Sequence, residues 1–145
     1  MKKALFALPL VGLGLVFGWQ AAASAKPSQL HRVVIDVSSG DSATWQRVLN
    51  NVENLQRQLG TANTFVEVVA YGPGLGMMLQ EGAPDRARME ALARGQVVFV
   101  ACQNTLQGRG LTPDALLPFV RVVPSGAAEL VLKQEAGWSY LKPGM

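Results

Sequence analysis

The chain has 145 residues, of which 49% are hydrophobic and 16% are charged, and its formal net charge is +3. This composition excludes a disordered chain, and the length argues for one domain, or for one domain with a processed end. One cysteine excludes an internal disulfide framework and a multi-cysteine metal cluster, and one histidine excludes a His-rich metal site. We therefore predict neither a metal site nor a cofactor.

The first 25 residues have the order of a secretory signal peptide. Two lysines at positions 2 and 3 are followed by an uncharged apolar run over 4–19, and Ala23-Ser24-Ala25 supplies a small-x-small cleavage pattern. The run is short for a membrane span, which needs roughly 20 apolar residues, and an uncleaved membrane anchor is the alternative. We predict cleavage after Ala25, a periplasmic location and one domain over 26–145, with membrane contact only through an uncleaved leader.

Removal of this leader changes what the charge implies. Lys+Arg falls from 13 to 11 while Asp+Glu stays at 10, so the mature domain is nearly neutral. A nucleic-acid binder needs clustered Lys and Arg to neutralise phosphates, and this chain has no basic run. We expect no nucleic-acid partner.

Short apolar runs alternate with helical patterns along the mature chain. Strands are predicted at 33–37, 65–71, 97–101 and 119–123, with a fifth, edge strand at 138–141. The first four runs are nearly continuous in Val, Ile and Phe, which is typical of strands that are buried on both faces.

The clearest helix is predicted over 42–59, where six apolar side chains recur at helical spacing. Further helices fit 84–94 and 125–136, and shorter helical turns fit after Gly74 and after 112–113. The resulting order, β-α-β-α-β-α-β-α-β, predicts an α/β domain with a mainly parallel sheet of about five strands and helices on both faces.

The candidate site residues lie in the loops after the strands, because ligands of open parallel sheets bind beyond the carboxyl ends of the strands. Cys102 directly follows the third run, where helix N-termini and Arg109 would favour its thiolate, the reactive form. The polar Asn104 nearby indicates a solvent-facing loop. The alternatives are that Cys102 is a small buried hydrophobe, or that it pairs with another chain.

Glycine-rich turns follow other strands. Gly72 and Gly74 belong to a Gly-x-Gly-x-Gly sequence that lacks the lysine and the spacing of a phosphate loop. A tight strand-to-helix turn explains them, although backbone N–H groups there could bind an anion. Ser125 begins the last predicted helix. A Ser-His or Cys-His hydrolase is disfavoured, because His31 begins the first strand, at the opposite end of the sheet.

Taken in order, these motifs resemble the DsrE/DsrF-like family over about 31–143. The segments that carry the resemblance are 33–37 with Gly40-Asp41, the helix that begins near Trp45, 68–74, 99–106, 123–130 and 137–143.

The resemblance implies a three-layer α/β/α fold with flavodoxin-like topology that assembles into homotrimers or homohexamers. In the sulfur-transferring members, a cysteine after a central strand carries sulfur as a persulfide, and Cys102 matches that position. Arg109-Gly110 matches an Arg-Gly pair that often follows. The well-understood members are cytoplasmic and exchange sulfur with protein partners, whereas this chain carries an export signal.

Two functions follow as hypotheses. The first is a sulfur carrier or sulfurtransferase with Cys102 as the persulfide-bearing residue. Its substrate-binding residues would be Asn104, Arg109, Gly72, Gly74 and Ser125. The alternative is a non-catalytic periplasmic module that binds a small ligand or a partner and has a structural cysteine. A covalent dimer through Cys102 is a third possibility.

Overall fold

A computed structural model describes residues 29–144 of the chain, so the predicted signal peptide lies outside the described residues. Its five strands are β1 His31–Val37, β2 Thr64–Ala70, β3 Val97–Cys102, β4 Arg121–Val123 and β5 Ser139–Leu141. Its four α-helices are α1 Ser42–Leu59, α2 Arg86–Ala93, α3 Gln103–Gly108 and α4 Gly126–Glu135. Short 3₁₀ helices lie at Thr61–Asn63, Gly72–Met78 and Pro113–Ala115.

The strands form one sheet in the order β4-β3-β2-β1-β5, and every neighbouring pair is parallel. The predicted parallel α/β fold is therefore confirmed, and β5 lies at an edge as expected. The strand order differs from the flavodoxin-like order, 2-1-3-4-5. Here the chain steps in one direction from β1 to β4 and then returns to place β5 against the free edge of β1.

One face of the sheet carries the larger core. Alternate residues of the three central strands point to this face, among them Ile35, Val68 and Phe99, all with 0% exposure. They pack with the apolar stripe of α1, with Met89 of α2 and with Leu106 of α3. Trp45, Met77 and Met78 also belong to this core.

The opposite face is covered by α4, which contacts β1, β2, β3 and β5. The core on this side is smaller: Leu130 packs with Val34, Val69 and Val100, and partly buried side chains surround them, namely Tyr71, Val98, Val123 and Trp138. A buried carboxylate, Glu67, also points to this face, and Lys133 Nζ lies 2.6 Å from its Oε2 atom. Burial raises the pKa of Glu67, and the Lys133 ammonium opposes that rise.

Most predicted helix and strand limits agree with the structure to within two residues. The helix over 42–59 is confirmed, with Asp41 as its N-cap, and the other two predicted helices are shorter by one or two residues at each end. The fourth strand starts at Arg121 rather than 119 because Phe119 and Val120 pack against the core before pairing begins. The helix α3 was not predicted, since its six residues bury only one apolar side chain. Between residues 29 and 144, no helix has the length and apolar character needed to cross a membrane.

Gly74 fixes how closely the turn after β2 packs against the end of β1. A Cβ atom at Gly74 would lie 2.0 Å from the main-chain oxygen of Val37. No flexible side chain could move to relieve such a contact, because the atom is part of the backbone. The absence of a side chain at Gly74 is therefore required by packing.

We expect Gly74→Ala to destabilise the protein by about 1–3 kcal/mol, because the turn must move away from β1. Gly108→Ala is the matched control: no atom lies within 4 Å of its added Cβ, and the φ angle of Gly108 is not positive. This control should gain roughly 0.5–1 kcal/mol from the better helix propensity of alanine. Urea unfolding measures both, and equal stability of the two variants would contradict the close approach.

Candidate functional site

Cys102 is the last residue of β3 and the N-cap of α3. Its backbone is extended, with φ −78° and ψ 119°, and the helix begins at the next residue. The side chain is 5% exposed, so the thiol is nearly buried at the carboxyl edge of the sheet. Burial alone disfavours the thiolate, so the pKa of Cys102 depends on its immediate neighbours.

Two helix N-termini converge on the sulfur. Backbone N–H groups of Thr105, in the first turn of α3, and of Gly126, the first residue of α4, face it and favour the thiolate. The N–H of Asn104 adds to this effect while it donates to the carbonyl oxygen of Pro124 at 3.3 Å. Gly126 permits this approach, since an added Cβ there would lie 3.3 Å from Cys102 Cβ and 3.0 Å from Tyr71 Cβ. The sulfur therefore occupies the position at which helix N-termini bind anions.

The Thr105 hydroxyl also favours the thiolate of Cys102 through a hydrogen bond. The backbone N–H of Gly72 donates to Thr105 Oγ1 at 3.0 Å. A hydroxyl has one proton to donate, and the bond from Gly72 uses only the acceptor side of the oxygen, so that proton remains able to donate to the sulfur. Gly72 has φ +52°, a left-handed conformation that glycine adopts without strain.

These contacts set the ionisation of the thiol. Burial is the largest single influence and raises the pKa of Cys102, but the Thr105 hydroxyl and the three backbone N–H groups together outweigh it. The net effect lowers the pKa of the thiol below its ordinary value of 9.0. The donors are all uncharged, so dipoles and hydrogen bonds favour the thiolate here.

The DsrE/DsrF-like family model matches residues 32–143. This range contains the four α-helices and the five strands, apart from His31, the first residue of β1. The chain belongs to the DsrE/DsrF-like family. Seven solved chains match it. One is MTH1491 of Methanobacterium thermoautotrophicum, a protein of unknown function, with 34% sequence identity and a TM-score of 0.73 over 78% of this chain and 99% of that chain. No curated protein matches.

The structure gathers some of the predicted site residues of this DsrE/DsrF-like protein around Cys102. The backbone N–H of Asn104 donates to Pro124 O at 3.3 Å and lies near the sulfur, while the side chain of Asn104 is exposed. Gly72 acts indirectly, because its backbone N–H donates to the hydroxyl oxygen of Thr105, which is a neighbour of the thiol. Ser125 is the N-cap of α4 and accepts a hydrogen bond from the N–H of Ala128, at 3.3 Å, immediately before Gly126.

Two predicted residues lie elsewhere. Arg109 follows the last residue of α3, at the opposite end of that helix from Cys102, and its side chain is exposed. Six helical residues span about 9 Å, so the backbone does not bring Arg109 to the sulfur. Gly74 packs on Val37 and faces β1. Their roles in substrate binding stay predictions.

Sequence reasoning missed Thr105 and Gly126, the residues that matter most to the thiol after Cys102 itself. Thr105 could have been predicted, because it lies three residues after Cys102 and side chains at that spacing come together at a helix N-terminus. Gly126 had no such signal. Its importance comes from α4 crossing close to β3, and only the tertiary structure shows that.

A second polar cluster lies on the same edge and the same face, two strands away. Asp36, 4% exposed, receives the Tyr140 hydroxyl at 2.7 Å and the Tyr71 hydroxyl at 3.4 Å, both at its Oδ2 atom, and Lys142 Nζ lies 3.4 Å from that atom. Burial and the bond to Asp36 raise the pKa of Tyr140 to about 12, so Tyr140 remains a donor at ordinary pH.

The other oxygen of Asp36, Oδ1, is buried and has no hydrogen-bond partner among the described residues. Leaving a buried acceptor unpaired costs about 1–3 kcal/mol, and more for a charged group. Residues 29–144 contain no group of three or more His, Cys, Asp or Glu side chains that could hold a metal ion. Asp36 lies in the strand predicted over 33–37, and no local pattern in the sequence indicates its buried partners.

We expect Thr105→Val to raise the pKa of the Cys102 thiol, because it removes a donor to the thiolate. The rate of alkylation near neutral pH should fall about tenfold, the effect of one hydrogen bond to a charged group. Folding lowers the pKa, so the native thiol should deprotonate at a pH below 9.0, the ordinary value, and the unfolded thiol near it. The ultraviolet absorbance of the thiolate, followed against pH and corrected by subtracting that of Cys102→Ser, measures the midpoint.

Thr105→Ser is the matched control, since it keeps the hydroxyl and should keep the native midpoint. A Thr105→Val midpoint equal to that of the native protein would show that the hydroxyl does not act on the sulfur.

Proposed function

We propose that this DsrE/DsrF-like protein is a sulfur carrier in which Cys102 accepts sulfane sulfur as a persulfide. The observation that carries the proposal is the set of uncharged groups around a nearly buried sulfur, three backbone N–H groups and the Thr105 hydroxyl, which favours the thiolate. Thiolate is the form that attacks sulfur–sulfur bonds. The family membership supports the same chemistry.

The loading step needs no oxidant. The Cys102 thiolate attacks the outer sulfur of a donor such as thiosulfate, a new Sγ–S bond forms, and the S–S bond of the donor breaks. Sulfite leaves with the electron pair of that bond, and Cys102 becomes a persulfide anion. The N–H groups of α3 and α4 that stabilise the thiolate would then stabilise the persulfide. A second protein that donates or accepts sulfur is the partner class this role requires.

We also propose export to the periplasm with cleavage after Ala25. The support is the sequence of the first 25 residues, with its two lysines, apolar run and small-residue pattern. In that oxidising compartment an exposed thiol would be open to disulfide formation. The low exposure of Cys102 supports protection of a lone thiol and disfavours the covalent dimer.

Intact mass spectrometry tests the carrier function. After incubation with thiosulfate or with an alkyl persulfide, the full chain expressed with its leader should gain about 32 Da on Cys102, and a reducing agent should remove the added sulfur. Cys102→Ser should gain nothing, and Thr105→Val should load more slowly than Thr105→Ser. The same spectrum gives the N-terminal residue of the recovered protein.

Failure to form the adduct under conditions that load a known carrier would overturn the proposal. Slow alkylation of native Cys102, with fast alkylation after unfolding, would then favour the binding module with a structural cysteine.

We further propose a homo-oligomer, a trimer or hexamer, that covers the outer surface of α4. One ten-residue helix is about 15 Å long and covers only part of a five-stranded sheet. Its outward surface carries an apolar patch: Val131 is 52% exposed and Leu132 is 58% exposed, with Ala127 and Ala128 one turn earlier. Adjacent exposed apolar side chains on one helix face are typical of an interface.

We expect Leu132→Glu to shift the protein to monomers, because it places a charge in the buried centre of that interface. Light scattering coupled to size exclusion measures the mass. Ala91→Glu adds the same charge at an exposed position of α2 and should leave the assembly intact. A native protein that is monomeric at high micromolar concentration would contradict this proposal.

A further inference from the structure

A cavity of about 320 Å³ lies beside the Asp36 cluster, at the carboxyl edge of β1. Its walls come from the turn after β1, from Thr44 in the first turn of α1, and from 142–144 after β5. Its volume falls in the range of small-ligand sites. It lies at the same edge as Cys102, about two strand spacings, or roughly 10 Å, to the side.

The wall of this cavity includes a buried negative charge. Asp36 is 4% exposed, and one of its oxygens has no partner among the described residues. Its other oxygen already accepts from the Tyr140 and Tyr71 hydroxyls and lies 3.4 Å from Lys142 Nζ. A carboxylate oxygen can accept two hydrogen bonds, so Asp36 retains acceptor capacity for a donor group on a ligand.

The rim of the cavity is positive. Lys142, which is 48% exposed, lines it, and the Arg47 guanidinium lies beside Gly144 and Thr44, since an added Cβ at Gly144 would be 2.6 Å from Arg47 Nη1. The N-terminus of the 18-residue α1 adds to this positive potential. Asp41, its N-cap, partly offsets it.

We propose that this cavity binds a small zwitterion of the amino-acid class, with its ammonium group on Asp36 and its carboxylate on Lys142 and Arg47. A simple cation would face two positive side chains, and a simple anion would face the buried Asp36 carboxylate. A molecule that carries both charges satisfies both ends. Hydroxyl groups of Ser38 and Ser39 lie in the same wall and can serve its polar side chain.

The site is independent of persulfide chemistry at Cys102. Cys102→Ser should bind the zwitterion with unchanged affinity, and Lys142→Gln should load sulfur as the native protein does. Failure of one proposal is therefore distinguishable from failure of the other.

Isothermal titration calorimetry on the native protein with glycine, L-serine and L-glutamine tests the site. Ethanolamine and propionate each carry one of the two charges and serve as half-ligands. We expect at least one zwitterion to bind with a Kd of about 1 mM or tighter, and both half-ligands to bind at least about tenfold more weakly. Asp36→Asn and Lys142→Gln should each weaken zwitterion binding about tenfold or more.

Arg57→Gln removes the same charge at the far end of α1 and is the control for Lys142→Gln. Lys142 is partly exposed, so its variant tests the site even where Asp36→Asn unfolds. The proposal is overturned by no binding of the three zwitterions up to about 10 mM, by equal affinity in Lys142→Gln and Arg57→Gln, or by equal binding of either half-ligand. Tight ethanolamine binding would identify a cation site instead, and tight propionate binding an anion site.

Discussion

The parallel direction of all five strands, combined with right-handed crossovers, determines where the chemistry of this protein lies. From β1 to β4 the chain advances in one direction, so the intervening helices lie on one face of the sheet. The last crossover runs the other way, to the free edge of β1, and the same handedness places α4 on the opposite face. The helices α3 and α4 follow neighbouring strands, so their N-termini meet at the carboxyl end of β3, where Cys102 lies.

This arrangement stabilises a thiolate by dipoles rather than by a side-chain cation. The three N–H groups and the Thr105 hydroxyl are held by secondary structure, so little reorganisation accompanies ionisation. Two glycines permit the approach. Gly126 lets α4 reach the β-carbons of Tyr71 and Cys102, and Gly74 lets the turn after β2 lie on the backbone of β1. In both cases packing requires the glycine, which affects the site only by allowing neighbouring elements to approach each other closely.

Tyr71 connects the two polar regions of the sheet edge. The base of its side chain packs beside Gly126 and Cys102, and its hydroxyl reaches Asp36 on the next strand. The edge therefore carries two environments with different chemistry. Around Cys102 the groups that favour the thiolate are neutral, whereas the buried Asp36 carboxylate is surrounded by tyrosine hydroxyls and an ammonium group. The first suits an anionic sulfur, and the second suits a ligand that carries a donor.

The sequence predicted the elements with strong local signals. Periodicity fixed the limits of α1, and continuous apolar runs located the three central strands to within two residues. It placed Cys102 at a strand end, and its ordered motifs pointed to the DsrE/DsrF-like family. Local signals were too weak to predict α3, which has one buried apolar residue. They also placed the start of β4 too early, because Phe119 and Val120 are apolar for core packing and precede the paired strand.

By itself the sequence determined the class of fold and the one thiol on which sulfur chemistry could depend, because both follow from local periodicity and composition. The tertiary structure decided the strand order, the choice of Thr105 and Gly126 as neighbours of Cys102, the remote position of Arg109 and the partners of Asp36. These depend on which strand lies beside which and on the face to which each crossover returns. Such contacts join residues far apart in the chain, such as Asp36 and Tyr140, and no local pattern encodes them.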